Sequence, residues 1–204
     1  MQRLTLFFFL LLSTFIHAQQ AGDLFKSMPS DLLPGVSEGN KTMLLVDKGK
    51  TTVPFPLGEI EKVVHSDDYL LIRTSDVGTL QLKLLPVNSD SVIACLIRTV
   101  CENVCDSHIS FYTSDWKKLD RESFLPDVST DFFLNSSSKK PGNDKYAVSL
   151  PDICPISASF SETGTDLTLV FHYRERLTEE QIQDLKPLLK GDSLTLTWNN
   201  ASFK

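Results

Sequence analysis

Reactive side chains are scarce in this chain. Its 204 residues hold four histidines, and only His65, His108 and His172 lie beyond residue 18. No phosphate-binding loop, no dinucleotide glycine pattern and no C-x-x-C pair occurs. These absences set aside nucleotide-dependent enzymes and thioredoxin-like redox exchange. Basic clusters are missing too. With 20 basic against 26 acidic residues the formal charge is −6, which is the wrong sign for nucleic acid or an anionic membrane surface. Beyond residue 16 there is no apolar run of membrane-spanning length.

The apolar run that does exist lies at the start. Arg3 precedes Leu4 to Ile16 (LTLFFFLLLSTFI), and His17-Ala18 offers a small residue for cleavage. This is the layout of a secretory signal peptide over 1–18, cut near Ala18, and the run is short for a spanning anchor. Cleavage removes only Arg3 among the charged residues, so the balance becomes 19 against 26, about −7. The expected location is periplasmic or secreted, with no membrane insertion after cleavage. At 41% hydrophobic over its full length, the chain has material for a sizeable core.

Four cysteines follow the apolar run: Cys95, Cys101, Cys105 and Cys154. In an exported chain an even count suggests disulfides. Cys101 and Cys105 are near enough to close a small loop if the backbone turns between them. Cys95 would then pair with Cys154, or remain a buried free thiol behaving as a small hydrophobe.

The chain is organised around Asp68 to Leu119. Tyr69 to Thr74 and Thr79 to Leu85 read as strands, the second with Leu80, Leu82 and Leu84 on one face and Gln81 and Lys83 on the other. Ser91 to Val100 is apolar on both faces, the mark of a central strand with something packed on each side. Ser107 to Thr113 alternates again, Ile109 and Phe111 opposite His108, Ser110 and Tyr112. Short connections make these four an antiparallel meander. Before them, Asp23 to Pro34 reads as two short helical turns, Asn40 to Lys48 as a helix or strand, and Gly49 to Pro56 as loop and edge strand. Gly58 to Val64 adds a further short element.

After the meander, residues 120–144 carry the polar run Asn135 to Asp144 (NSSSKKPGND) and form the candidate boundary. A hairpin around Thr163-Gly164 follows. Thr178 and Gln181 then suit a capping box for a helix with Ile182, Leu185 and Leu189 on its apolar stripe, which Pro187 shortens or kinks. Ser193 to Trp198 is the last strand. The expected fold class is α+β: an antiparallel sheet with short helices packed on it. One domain over 19–204, or two lobes (19–119 and 145–204) joined by 120–144, both fit.

These motifs resemble an exported Bacteroidetes family known as domain of unknown function 3256. The likeness rests on FKSMPSDLLP (Phe25 to Pro34), DDYLLIRTS (Asp67 to Ser75), LQLKLLP (Leu80 to Pro86) and DSHISFYTSDW (Asp106 to Trp116), then the capped helix and Trp198. It implies a cell-envelope or secreted location in a Gram-negative anaerobe, and it transfers no catalytic residue.

Several constellations invite chemistry. Asp106-Ser107-His108 has the letters of a triad, but consecutive residues cannot converge as nucleophile, base and orienter; a strand-start turn in which Asp106 bonds its own backbone is the expectation. Cys101, Cys105 and His108 offer three zinc ligands, with His65 as a conceivable fourth, yet export favours the disulfide. The pairs Asp67/Asp68 and Asp127/Asp131 lack calcium-loop spacing. Asp90-Ser91-Val92 and Asp192-Ser193-Leu194 resemble a bacterial O-glycosylation pattern. Tyr112 and Trp116 are the candidate binding surface, the alternative being core packing beneath the N-terminal helices. The function expected is non-enzymatic: an exported binding or envelope-interaction protein with a protein or glycan partner, no cofactor, no metal and no nucleic acid. The alternative is a small hydrolase or lyase with dispersed carboxylates.

Overall fold

The computed structural model describes residues 20–56, 58–89, 91–135 and 155–204. The expected signal peptide, most of the polar run, Asp90 and Cys154 lie outside them. Seven strands in chain order form one antiparallel sheet: β1 (Thr51–Phe55), β2 (Gly58–His65), β3 (Tyr69–Arg73), β4 (Gly78–Pro86), β5 (Val92–Cys101), β6 (Cys105–Tyr112) and β7 (Lys118–Leu119). The expected four-strand meander is thus its centre and far side, the edge strand expected within Gly49 to Pro56 is β1, and the short element expected over Gly58 to Val64 is β2. Pro54 can sit in β1 because β1 is the sheet edge, where a missing N–H costs no ladder bond.

Two small helices cover one face of this sheet. They are α1 (Ala21–Lys26) and α2 (Glu38–Leu44). Each is far too short to hold in water alone, so packing must hold it. Leu24, Phe25, Met28 and Leu44 bury against Leu70, Ile72, Leu80, Leu82 and Leu96. Burying each such side chain contributes about 1.5–3 kcal/mol. The second helical turn expected near Ser30 is only a pair of hydrogen-bonded turns, Leu32 N–H to Pro29 and Leu33 N–H to Ser30. Such an irregular stretch leaves carbonyls unpaired, and cationic side chains serve them. Arg98 Nη2 donates to Leu32 O at 2.6 Å, Lys41 Nζ to Met28 O, and Lys62 Nζ to Asp47 O. Desolvation pulls Lys41 and Lys62 below the usual lysine range.

The opposite face carries a second antiparallel sheet. It comprises β8 (Ile156–Phe160), β9 (Leu167–Phe171) and β10 (Ser193–Leu196) in the order β10-β9-β8. Helix α3 (Glu179–Leu185) packs with it. Its capping box is formed as expected: Thr178 accepts from Gln181 N–H, and the Gln181 side chain accepts from Thr178 N–H. Pro187 converts the last turn to a 3-10 turn, Lys186–Leu188. A final hairpin, β11 (Trp198–Asn199) with β12 (Ser202–Phe203), closes the end of the core, and Trp198 Nε1 donates to Pro86 O at 2.7 Å. Among the described residues no helix is long and apolar enough to cross a membrane.

This second layer changes the meaning of the strand alternation. Gln81 and Lys83 point to the face that reads as polar, yet they are 6% and 0% exposed because the small sheet lies over them. Lys83 pairs with Asp68 at 2.8 Å and lies 5.3 Å from the Tyr69 ring centre. Strand β8 is an edge, and its outward N–H groups need acceptors. Side chains of the large sheet supply them: Asp106 Oδ1 for Ile156 (3.3 Å), Ser107 Oγ for Ala158 (2.9 Å) and Gln81 Oε1 for Phe160 (2.9 Å). The described part of the boundary region also joins this core, with Leu125, Phe133 and Leu134 buried and Phe124 and Phe132 packed against them.

Candidate functional site

Tyr112 is in the core, 6% exposed, beneath the N-terminal helices; it belongs to the packing and not to an open surface. Trp116 is half-buried. It takes a positive φ of 61° in the turn after β6, and its ring reaches back to lie 5.6 Å from that of Tyr112. Its Nε1 donates to Ser27 Oγ at 3.2 Å. These two aromatics therefore clamp α1 onto the sheet.

Cys101 and Cys105 face each other across the β5–β6 hairpin and form a disulfide. Two sulfurs bonded to each other are not thiolate ligands, and among the described residues no group of three or more His, Cys, Asp or Glu is placed to hold a metal. Cys95 is a free thiol, fully buried at the centre of β5, and burial pushes its pKa far up. Its alternative partner, Cys154, lies outside the described residues. Asp68 is committed to Lys83, and the Asp67 carbonyl accepts from Ala21 N–H at 2.8 Å. Asp192 accepts from the Tyr173 hydroxyl (2.7 Å) and Arg174 (2.6 Å), leaving Ser193 exposed at the start of β10. Ser91 is exposed as well.

Two further features escaped the sequence reading. Gly35 to Gly39 (GVSEG) carries G-x-S-x-G, the letters of a nucleophile elbow. Here Ser37 is the N-cap of α2 in relaxed extended geometry (φ −70°, ψ 159°), and its Oγ accepts from Asn40 N–H at 3.1 Å. It is a capping serine. Ser157 Oγ and His172 Nε2 lie 2.8 Å apart, but on the outward face of the small sheet, where they bridge neighbouring strands.

Polar groups do converge in a cleft of about 420 Å³ beside β6. Its floor is apolar: Ile109, Val128, Ile156, Ala158 and Leu169. Its rim carries Arg121, Ser129 and Thr130; His108 borders it from β6, with its ring on the opposite sheet face beside Arg98. Among the described residues none of those three rim side chains forms a hydrogen bond within the protein, whereas Asp106 and Ser107 at one end are occupied with β8. Asp106 thus bonds Ile156 rather than its own backbone. Partial burial, followed by the cations Lys118, Arg98 and Arg121, lowers the His108 pKa, with Asp106 opposing. The ring is therefore neutral near pH 7, and Arg121 is the permanent charge. Arg121, Ser129 and Thr130 sit in the boundary stretch and Ile156 and Leu169 in the hairpin. No local spacing connects them; only the run Asp106-Ser107-His108 stood out in the sequence for its chemistry.

Among solved structures the chain is similar to a domain of an uncharacterized protein from Porphyromonas gingivalis W83, with 23% identity and a TM-score of 0.78 over 92% of this chain and 99% of that one. At that identity the likeness shows the fold. No curated protein matches. The family model described as "Protein of unknown function (DUF3256)" matches residues 13–203, and the chain belongs to that family.

Proposed function

We propose that this is an exported, non-enzymatic binding protein of the cell envelope that holds a protein or glycan partner in the cleft beside β6. The observation that carries the reading is the cleft itself, an apolar floor rimmed by Arg121, Ser129 and Thr130, none of them spent on the fold among the described residues. Its size falls within the roughly 300–1,000 Å³ of ligand pockets, and a few unspent donors over an apolar floor are what orient a bound molecule. Export is supported by the apolar run behind Arg3 and by the Cys101–Cys105 disulfide, which oxidising compartments preserve.

Two measurements test this. Intact mass of protein from a periplasmic fraction, alkylated without reductant, should show a chain starting near Gln19 with Cys101 and Cys105 unmodified. Full-length protein retained in the cytoplasm sinks export. Amide hydrogen exchange with solubilised envelope glycan and peptide fractions should then show protection at 106–110 and 121–130, with the ligand recovered unaltered. A ligand recovered cleaved favours the hydrolase or lyase reading instead.

A further inference from the structure

We infer that the cleft receives an extended acidic peptide, which adds as an antiparallel strand to the open edge of β6 and sets a carboxylate against Arg121. The inference rests on the binding reading above and names its ligand class.

It begins with which way the backbone of β6 points. Thr113 N–H donates to Lys117 O at 2.9 Å on the side away from β5, so the odd-numbered residues of this strand turn their N–H and C=O groups outward. Phe111 meets Leu119 of β7 there. Then the partner strand stops. The Asp120 side chain accepts from Glu122 N–H, and the chain turns into a 3-10 turn, Arg121–Ser123. Ile109 and Ser107 are left with outward N–H and C=O groups that have no backbone partner among the described residues. Proteins ordinarily pair, cover or charge such an edge, because it is a template for another strand. Here it opens onto the cleft.

The surroundings select the guest. Main-chain bonds to Ile109 and Ser107 require an amide backbone at strand spacing, which a peptide has and a sugar chain lacks. Alternate side chains of the guest would face Val128, Ile156 and Leu169 on the floor. Charge selects further. In a chain of net charge −6, the groups whose charge reaches His108 are Lys118, Arg98 and Arg121 against Asp106 alone. Arg98 is committed to Leu32 O and Asp106 to Ile156 N–H. Of Lys118 and Arg121, Arg121 lines the cleft and can take a carboxylate there, a pairing its planar fork suits.

The test uses the ¹⁵N-labelled exported protein and four probes: acetyl-Val-Thr-Val-Thr-Glu, its Gln counterpart, the Glu peptide with alternate amides N-methylated, and a tetramer of galacturonic acid. With the Glu peptide, the Ser107 and Ile109 amides should shift and exchange about tenfold more slowly. The Gln peptide should bind about fivefold more weakly, and the N-methylated peptide not at all. Arg121→Gln, on an exposed side chain, should keep its thermal midpoint and lose the Glu-over-Gln preference. No peptide binding at millimolar concentration, shifts confined elsewhere, or equal binding of the N-methylated peptide overturns the inference. Binding of the galacturonate alone overturns strand addition and leaves the envelope-binding reading standing. Silence from all four probes and from the envelope fractions fails both.

Discussion

Gln81 joins the two sheets, and its replacement by methionine tests that role. The Oε1 atom accepts from Phe160 N–H at 2.9 Å and from the Tyr69 hydroxyl at 3.1 Å, while Nε2 lies 3.5 Å from Ala158 O. Methionine fills nearly the same volume, so cavity cost is small. It orphans two buried donors, and each costs about 1–3 kcal/mol, giving about 2–6 kcal/mol in total. Tyr69→Phe leaves Gln81 still accepting from Phe160 and should cost about 1 kcal/mol. Burial, with Glu162 nearby, pushes Tyr69 up to about 12, so its hydroxyl remains a donor throughout the assay range. In the double variant no phenol is left orphaned, and the loss should fall short of the summed single losses by about 1 kcal/mol or more. Urea unfolding measures all three, and Gln81→Met should also lower the thermal midpoint by about 2–4 °C per kcal/mol. A Gln81→Met protein within about 0.5 kcal/mol of the parent, or strict additivity, would refute the reasoning.

Other consequences follow from single features. Reducing Cys101–Cys105, which closes a loop with sequence separation 4, should cost about 2 kcal/mol by the chain-entropy account; an unchanged thermal midpoint with reductant counts against it. Gly35 has φ +82°, and a Cβ there would lie 2.7 Å from Phe55 Cε2, so Gly35→Ala should cost about 2–4 kcal/mol. Gly164 has φ +86° and open space around it, so Gly164→Ala should cost only about 1–2 kcal/mol; equal losses would remove Phe55 from the explanation. Burial first, then Lys62 and Lys26, lowers the His65 pKa against the opposing pull of Asp67 and Asp23. The unfolded chain therefore takes up this proton first as pH falls through about 6.5, and stability drops in that window until the folded ring also titrates. An NMR titration midpoint for His65 at or above 6.5 contradicts this.

Local rules carried the sequence reading a long way. Alternation located β3 to β6, the doubly apolar run of β5 marked a central strand, and the Thr178–Gln181 spacing located a capped helix. The spacing of Cys101 and Cys105 suited a small closed loop. These signals are local: strand period, cap chemistry and short loops act within a few residues. Period-two alternation says which side chains share a face but not what covers that face. Gln81 and Lys83 share the face opposite Leu80, Leu82 and Leu84 and are anchors, because a sheet contributed by residues some 77 positions later lies over them. Tyr112 read either as a surface candidate or as core beneath the N-terminal helices, and those helices cover it. The cleft is less legible still, since it arises where β7 ends after Leu119 and leaves Ile109 and Ser107 beside residues from two other segments. The sequence by itself determined the central strands, the capped helix and the family likeness. Only the tertiary structure decided which faces are covered, that Cys101 meets Cys105 across a hairpin, and which strand edge is left unpaired among the described residues, because these depend on how the chain folds back on itself.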